Sequence, residues 1–239
     1  MDPDTTPESA GGLADPRAAL LAAALSHVPF DGWSEATFRA AISDTGIEPG
    51  LARSLCPRGA RDLAVLHHRR GDEAMVRRLR ELPPSGIKFR EKVAQAVRFR
   101  IEAAGDREVV RRGGALFALP ANAAEGARLL WGTADQIWRA LGDTSEDYNW
   151  YTKRATLSGV YGSTVLYWLG DESVGSAATW AFLDRRIEDV MQIEKIKAQV
   201  NDNRVLSRLL APAQWALGRV RPPVRMPAEG LPGTWRGPN

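Results

Sequence analysis

The sequence has very few of the side chains that bind metals or form disulfides. Cys56 is the single cysteine among 239 residues, which excludes an internal disulfide framework and is typical of a reducing compartment. Only three histidines are present, His27 and the adjacent His67 and His68. No cysteine, histidine or carboxylate spacing matches a metal site. The sequence therefore predicts neither a metal centre nor a cofactor.

Long apolar runs are also absent, since no segment approaches the roughly 20 apolar residues that a membrane-spanning helix needs. The start of the sequence has no apolar signal-peptide core. Residues 2–15 carry Asp2, Asp4, Glu8 and Asp15 and no base, which is the opposite of a mitochondrial transit peptide. These features predict a protein of the bacterial cytoplasm. The basic C-terminal segment described below predicts that the protein also associates peripherally with the inner membrane.

Signatures of catalysis are missing as well. The sequence contains no Gly-rich phosphate loop and no Ser/His/Asp pattern, and the RRGG run at 111–114 is interpreted as a turn. Glu102, Asp135, Glu188 and Asp189 lie at helical positions typical of solvated faces. The last two have no Glu-x-x-His partner, so a di-iron centre has no ligands. We therefore expect a protein that is not an enzyme.

What the sequence does contain is helical periodicity. Strand signals are nearly absent, and short segments with a period of about 3.6 residues follow one another between Gly and Pro, which predicts an all-α fold. The predicted helices cover about 16–28, 35–46, a short segment after Pro49, 58–82, 87–104, 106–118 and 121–141, and three more begin near Asp147, Val174 and Asn201.

Three short helices followed by long ones are the layout of a helix-turn-helix head on a helical body. The predicted divisions are a disordered lead-in at 1–12, a head at 13–60, a helical body at 61–200, an amphipathic helix at 201–221 and a disordered basic tail at 222–239. The third helix offers Arg53, Ser54, Arg58 and Arg61 to DNA, but Pro57 cuts it short. A structural head is favoured, and no nucleic-acid partner is expected.

Apolar residues repeat at helical spacing on three long helices of the predicted body. Such stripes arise from a solidly filled core or from the walls of an apolar pocket, and periodicity alone favours the filled core. Both interpretations remain open at this point. The candidate lipid-binding residues on these stripes are Leu130, Ile137, Leu157, Tyr161, Trp180 and Ile187.

The segment 147–169 begins with a polar and aromatic cluster, DYNWYTKR, and continues into an apolar helical face. At about 100° per residue, Asp147, Tyr151 and Arg154 share one flank of the helix, with Trp150 at its border. Trp, Tyr and Arg are enriched at interface hot spots, so the cluster predicts a surface that binds a partner protein. Capping of the helix by Asp147 is the simpler alternative.

Residues 201–220, NDNRVLSRLLAPAQWALGRV, combine apolar side chains with Arg204, Arg208 and Arg219. An amphipathic basic helix with a tryptophan can lie in a bilayer interface. Pro212 must kink or split such a helix, and a last helix packed on the body explains the pattern equally well. The candidate membrane-contacting residues are Leu206, Leu209, Leu210 and Trp215.

Four segments carry a resemblance to a known family. They read DYNWYTKRATLSGVYGSTVLYWLGDES, TWAFLDRRIEDVMQIEKIKAQV, AALSHVPFDGWSEATF and WGTADQIWRALGD. They resemble the ubiquinone-biosynthesis accessory family whose eukaryotic member is the ninth coenzyme Q biosynthesis protein, over about residues 20–200. This resemblance implies a TetR-like fold without DNA-binding function. It also implies a pocket for an isoprenoid quinone or a phospholipid, and commonly a homodimer.

The same resemblance implies a partner, because the family assists the di-iron hydroxylase that acts on demethoxyubiquinone and presents that lipid to it. On this basis Asp147, Trp150, Tyr151 and Arg154 would contact demethoxyubiquinone hydroxylase, and the helix from Asn201 would touch the membrane surface. The sequence thus predicts a non-enzymatic, lipid-binding accessory protein of ubiquinone biosynthesis. A TetR-type ligand-responsive transcriptional regulator is the main alternative.

Overall fold

Helices form nearly all of the regular structure. The computed structural model describes residues 15–83 and 85–202, with side chains described as far as Gln192, and these residues contain helices and no strand. The α-helices are α1 Pro16–Asp31, α2 Glu35–Thr45, α3 Pro49–Leu55, α4 Ala60–Arg80, α5 Phe89–Glu102, α6 Arg107–Ala118, α7 Pro120–Ala140, α8 Asn149–Leu169 and α9 Ala177–Asp202, with a short 3-10 helix at Val174–Ser176 before α9. The predicted all-α fold is confirmed for this part of the chain.

Local capping signals explain where several helices begin and end. The Ser34 side chain accepts a hydrogen bond from the backbone N–H of Thr37 at the start of α2, and Gly46 ends that helix in a left-handed conformation with φ of 65°. Asp106 caps α6 in the same way, by accepting from the first turn of the helix. Since these caps are visible in the sequence, the predicted boundaries lie within a few residues of the observed ones.

One predicted boundary lies at the edge of the described residues. Helix α9 continues through Asn201 to Asp202, so residues 201 and 202 belong to α9, and the predicted helix beyond them stays a prediction. Helix α9 continues because 177–202 contains neither Gly nor Pro, and a helix of good formers continues until something stops it. The rest of the predicted amphipathic segment, with Leu206, Leu209, Leu210 and Trp215, lies outside the described residues, as do 1–12 and 222–239.

Two hydrophobic core clusters are joined by α4. The first packs α1–α3 against the first half of α4 and includes Leu20, Phe38 and Leu63. The second packs the remainder of α4 against α5 and α7–α9 and includes Met75 and Leu183. Because α4 contributes to both cores, it connects the short-helix head to the long-helix body, and the head core also takes in part of α6.

Candidate functional site

Two partly open cavities lie along α8, each against one half of that helix. The α9 cavity, of about 500 Å³, is lined by the N-terminal half of α8 together with α5, α9 and the connection between α7 and α8. The head–body cavity, of about 450 Å³, is lined by the C-terminal half of α8 together with α4–α7 and Trp33 of the head. Both volumes lie within the range of about 300–1,000 Å³ that small-molecule sites usually have.

The α9 cavity has an apolar interior and a polar rim. Its rim carries Asn149, Thr152 and Lys153, from the first turns of α8. Its buried interior is formed by aliphatic side chains of α5, α8 and α9, among them Val93, Leu157, Val160 and Ile187. This arrangement fits an amphiphile whose tail is inside and whose polar end is at the surface.

The candidate lipid-binding residues are divided between the two cavities. Leu157 and Ile187 line the α9 cavity, whereas Leu130 and Tyr161 line the head–body cavity. Ile137 lines neither, because its fully buried side chain is part of the body core. Helical periodicity identified apolar faces correctly, but a stripe does not indicate which of its members face a packed neighbour and which face a space.

Trp180 also lines neither cavity. Its indole N–H donates to the carbonyl oxygen of Gly175 at 2.9 Å, and the Arg98 guanidinium lies 4.8 Å from the centre of its ring. The hydrogen bond ties α9 to the 3-10 helix that precedes it. Trp180 thus contributes to the start of α9 and lies outside both cavities.

A buried ion pair backs the head–body cavity. The Nε atom of Arg100 donates to Oδ1 of Asp72 at 2.6 Å, and Thr133 donates to the same oxygen at 2.8 Å. Arg100 is only 2% exposed and also donates to the backbone carbonyl of His68. Burial raises the pKa of Asp72, and the neighbouring Arg100 guanidinium opposes that rise. No sequence spacing brings Asp72, Arg100 and Thr133 together, so sequence reasoning missed this cluster.

Gly71 makes room for this ion pair. A Cβ atom at position 71 would lie 2.6 Å from Nη1 of Arg100 and 2.7 Å from its Cζ. The guanidinium has no alternative place without breaking its bonds to Asp72 and His68. A glycine in the middle of α4 costs helix stability, and its presence is explained by this close approach.

Two adjacent histidines on α4 line the head–body cavity in their neutral form. Burial, assisted by the positive charge of Arg100, lowers the pKa of His67 to about 4 and that of His68 to about 3. His68 additionally lies 2.9 Å from the hydroxyl of Thr133 through Nε2. The cavity wall therefore holds imidazoles that carry no charge at neutral pH.

These two histidines predict acid sensitivity. The unfolded chain protonates His67 and His68 near pH 6.5, but the folded chain does so only near pH 4 and 3. Stability is thus fully present above pH 6.5 and falls as the pH is lowered, because the unfolded state binds the protons first. We expect the free energy of unfolding to drop by about 2–3 kcal/mol between pH 6.5 and pH 5, which urea titrations at both values will measure.

The substitutions His67→Gln and His68→Gln provide the control for this pH dependence. Each substitution should reduce the change in the free energy of unfolding between pH 6.5 and pH 5. Asp and Glu side chains contribute little to that change, because their ordinary pKa values are about 4. Equal unfolding free energies of the unsubstituted protein at the two pH values would contradict the assignment of neutral, buried histidines.

The DYNWYTKR segment forms the first turns of α8 and carries an aromatic cluster. The rings of Trp150 and Tyr151 meet edge to face with centroids 4.8 Å apart, and Trp131 of α7 lies 5.8 Å from Trp150. All three side chains are half-buried, so each presents part of its ring to solvent. Asp147 is exposed and accepts a hydrogen bond from the N–H of Asn149, although the N-cap position of α8 is Tyr148. Sequence reasoning did not identify Trp131.

Arg154 lies beneath this cluster rather than on it. Only 1% of its surface is exposed, and its guanidinium donates to Asp135 at 2.7 Å and to Asp143 at 3.0 Å. It also donates to the carbonyl oxygen of Trp150 and lies 4.1 Å from the centre of that indole ring. The prediction that Arg154 contacts a partner is corrected, as is the solvated position predicted for Asp135. The physical reason is the pair of carboxylates, which makes burial of the guanidinium favourable.

The carboxylate of Asp143 holds the connection between α7 and α8 against this helix start. Burial acts to raise its pKa, but hydrogen bonds from Lys153, Ser145 and Arg154 outweigh burial and lower the pKa to about 2. The ammonium group of Lys153 lies 2.9 Å from Oδ1 of Asp143. Since Asp143, Ser145 and Lys153 all line the α9 cavity, this network shapes its rim.

The arginines that the head offers to DNA are engaged within the protein. Arg53 pairs with Glu35 of α2, and Arg58 and Arg61 both pair with Glu125 of α7, the latter at 2.7 Å. A guanidinium held by a carboxylate is less available to a phosphate oxygen or a base edge. These three arginines are therefore already paired with carboxylates of the protein itself.

The described residues contain neither a membrane-spanning helix nor a cluster of metal-binding side chains. None of the helices in 15–83 and 85–202 is long and apolar enough to cross a membrane. The same residues contain no group of three or more His, Cys, Asp or Glu side chains placed to hold a metal ion.

Similarity to known proteins is concentrated in the part of the chain that carries this geometry. Residues 123–194, which include all of α8, match the COQ9 family model. The ubiquinone biosynthesis protein COQ9 of Drosophila melanogaster is 31% identical over 190 residues, which cover 77% of this chain. The chain belongs to the COQ9 family. The resemblance seen in the sequence is thereby confirmed.

Other relatives of the COQ9 family agree. The COQ9 proteins of Rattus norvegicus and Homo sapiens are 30% and 29% identical, each over 76% of this chain. The alignments cover 57% of the Drosophila protein, 60% of the rat protein and 59% of the human protein, so the chain spans about three fifths of these relatives.

The relatives overturn the predicted compartment. All three are named as mitochondrial proteins, which points to mitochondria and away from the bacterial cytoplasm. The prediction of a bacterial cytoplasmic protein at the inner membrane is therefore wrong. It depended on the acidic composition of residues 2–15, which concerns only a targeting peptide and not the compartment in which the folded helices act.

The fold has a solved counterpart. A TetR transcriptional regulator from Nitrosomonas europaea superposes with a TM-score of 0.59, over 73% of this chain and 97% of the regulator, at 19% sequence identity. The predicted TetR-like all-α fold is confirmed. At this identity the likeness shows the fold alone, and it carries no information about DNA binding.

Proposed function

We propose that this protein is a non-enzymatic accessory protein of ubiquinone biosynthesis that binds an isoprenoid quinone lipid and presents it to demethoxyubiquinone hydroxylase at a membrane surface. Its COQ9 relatives, which are named for ubiquinone biosynthesis, support the pathway. Lipid binding and presentation are supported by one observation. The rim of the α9 cavity and the aromatic cluster are built on the same turns of α8.

The proximity of these two features gives presentation a physical basis. Asn149, Thr152 and Lys153 face the cavity, whereas Trp150 and Tyr151 lie on the neighbouring flank. A helix with its side chains is only about 10–12 Å across, so a polar group at the rim is within that distance of a partner on the cluster. A lipid can then expose its head group to an enzyme while its tail stays inside the protein.

The apolar interior reduces the cost of taking a lipid out of the bilayer. Each methylene that leaves an apolar environment for water costs about 0.8 kcal/mol, which makes unassisted transfer of a polyisoprenoid very unfavourable. The aliphatic walls of the α9 cavity, with Val93, Val160 and Ile187, replace part of the bilayer environment. No bond is made or broken by the carrier, so no catalytic group is required.

The homodimer and the membrane contact belong to the same proposal through the family resemblance. The membrane contact would involve Leu206, Leu209, Leu210 and Trp215, which lie outside the described residues. A TetR-type regulator is less well supported, because Arg53, Arg58 and Arg61 are engaged by carboxylates on the face that would meet DNA.

Extraction of the purified full chain with organic solvent, followed by mass spectrometry, tests the proposal. We expect an isoprenoid quinone or a biosynthetic precursor of one to copurify in a constant ratio to protein. Protein purified from cells that lack the isoprenoid quinone pathway is the control. Consistent absence of any lipid would refute the carrier function and leave an adaptor that binds the hydroxylase alone.

A further inference from the structure

Tyr161 brings a hydroxyl without a partner to the wall of the head–body cavity. The residue is 4% exposed and lines this cavity from the middle of α8. The Arg100 guanidinium lies 5.6 Å from the centre of its ring, and both Arg100 and Asp72 act on Tyr161 electrostatically, but its hydroxyl makes no hydrogen bond within the described residues. Because this hydroxyl is not one of the fully enclosed polar atoms that lack a partner, it is accessible from the cavity, where it can donate to a ligand.

The rest of the wall carries no net charge. Arg100 is the single formally charged side chain among the residues that line the cavity, and Asp72 directly behind it neutralises that charge. His67 and His68 are neutral because burial lowers the pKa of both. An anionic head group would enter an apolar space without a free counter-charge, which is costly. An uncharged acceptor oxygen, in contrast, can be accommodated by a single hydrogen-bond donor.

We propose that Tyr161 is the specificity-determining hydrogen-bond donor of the head–body cavity, and that its hydroxyl donates to an uncharged acceptor oxygen, such as a ring carbonyl oxygen of a quinone. The apolar side chains next to it, Leu130 and Val165, contact the adjoining isoprenoid carbons. The inference rests on the lipid-binding part of the proposed function. It concerns a cavity distinct from the one at the aromatic cluster.

The space beside Tyr161 is compatible with a flat ring. Gly162 follows it on α8, and Gly113, Gly114 and Gly126 line the same cavity from α6 and α7. A Cβ at position 162 would meet only Leu130, at 3.9 Å, so this glycine leaves the cavity open instead of serving a tight helix contact.

The test is a titration of the delipidated full chain with a ubiquinone that carries two isoprene units, followed by isothermal calorimetry. Tyr161→Phe removes the hydroxyl and keeps the ring. We expect its affinity to be about 3- to 10-fold lower, which corresponds to one hydrogen bond to a neutral acceptor. Tyr167→Phe, on the same helix but outside the cavity and stacked on Phe182, is the matched control and should bind as the unsubstituted protein does.

Thermal unfolding distinguishes a ligand-binding role from a structural one. Because the Tyr161 hydroxyl has no partner within the described residues, Tyr161→Phe should leave the melting temperature of the ligand-free protein unchanged or raise it. The increase in melting temperature that the quinone produces should shrink in this variant. A lower melting temperature of the ligand-free variant would show that the hydroxyl stabilises the protein itself, and would overturn the inference.

A second ligand tests whether the Tyr161 hydroxyl acts through a ring oxygen of the quinone. A benzene ring with the same two isoprene units but without ring oxygens should bind the unsubstituted protein and Tyr161→Phe equally. Short-chain phosphatidylglycerol should fail to displace the bound quinone, and effective displacement would overturn the preference for an uncharged ligand.

The outcomes separate the two proposals. If the unsubstituted protein binds the quinone and Tyr161→Phe binds it equally well, the role of Tyr161 is refuted and the carrier function stands. If the unsubstituted protein binds neither the quinone nor its oxygen-free analogue, lipid binding itself is refuted, and the inference fails with it.

Discussion

Replacing Arg154 with alanine is expected to lower the free energy of unfolding by about 3 kcal/mol, because it breaks two ion pairs of a buried guanidinium and leaves each carboxylate with only a partly exposed cation. Asp143 is almost fully buried and Asp135 largely so, and both accept hydrogen bonds from Arg154. Lys153 still pairs with Asp143 and Arg139 with Asp135 after the change, but 39% of the Lys153 side chain and 49% of the Arg139 side chain are exposed to solvent. Urea unfolding followed by circular dichroism measures the loss.

Arg139→Ala is the matched control for Arg154. Arg139 pairs with the same carboxylate, Asp135, at 2.7 Å, but half of its side chain is exposed to solvent. Exposed ion pairs contribute only about 0–1 kcal/mol, so this variant should lose less than about 1 kcal/mol. A loss of similar size in the two variants would show that burial of the Arg154 guanidinium is not the cause.

The substitution Trp150→Lys is expected to weaken binding to demethoxyubiquinone hydroxylase by at least about 30-fold, which corresponds to about 2 kcal/mol at an interface hot spot. The indole is half-exposed, so the lysine can reach solvent without unfolding the helix. Its ring is the most tightly supported part of the cluster, since it packs on Tyr151, on Trp131 and over the Arg154 guanidinium. Calorimetry with the purified hydroxylase measures the affinity.

A charge added elsewhere controls for non-specific effects of this variant. Val174 is almost completely exposed at the turn before α9, far along the chain from the cluster, and Val174→Lys adds the same charge. It should bind the hydroxylase as the unsubstituted protein does. Unchanged affinity of Trp150→Lys, with the unfolding free energy also unchanged, would refute the assignment of the cluster as the partner surface.

The two predictions are linked through the structure. Arg154 holds the Trp150 indole by its guanidinium and binds the carbonyl oxygen of the same residue. We therefore propose that Arg154 is a positioning residue of the proposed partner surface. Direct contact with a partner, which the sequence pattern predicted, would require a side chain at the surface, and that of Arg154 is 1% exposed.

The helices themselves could be predicted because their signals are local. Ser34, Gly46 and Asp106 mark helix ends through bonds to residues within a few positions of themselves, and the observed boundaries follow them. The COQ9 family and the TetR-like fold could also be predicted from the sequence, because motifs such as the DYNWYTKR segment consist of consecutive residues. Residues 201 and 202 continue α9, because no local signal stops the helix there.

The candidate sites could be predicted only in part. Periodicity placed Leu157 and Tyr161 on one helix face without showing that they line different cavities. It also did not reveal that Ile137 is packed solidly in the core. A face is a property of one helix, whereas a cavity is the space left between several helices whose relative positions are absent from any one of them.

By itself, the amino-acid sequence determined the helices, the family and the aromatic composition of the segment that begins α8. Only the packing of the helices buries Arg154, brings Asp72 together with Arg100, which lies 28 positions further along the chain, and places Tyr161 at a cavity. The physical reason is that capping and periodicity act between residues close in the chain. Burial and ion pairing, in contrast, depend on which distant helices come into contact.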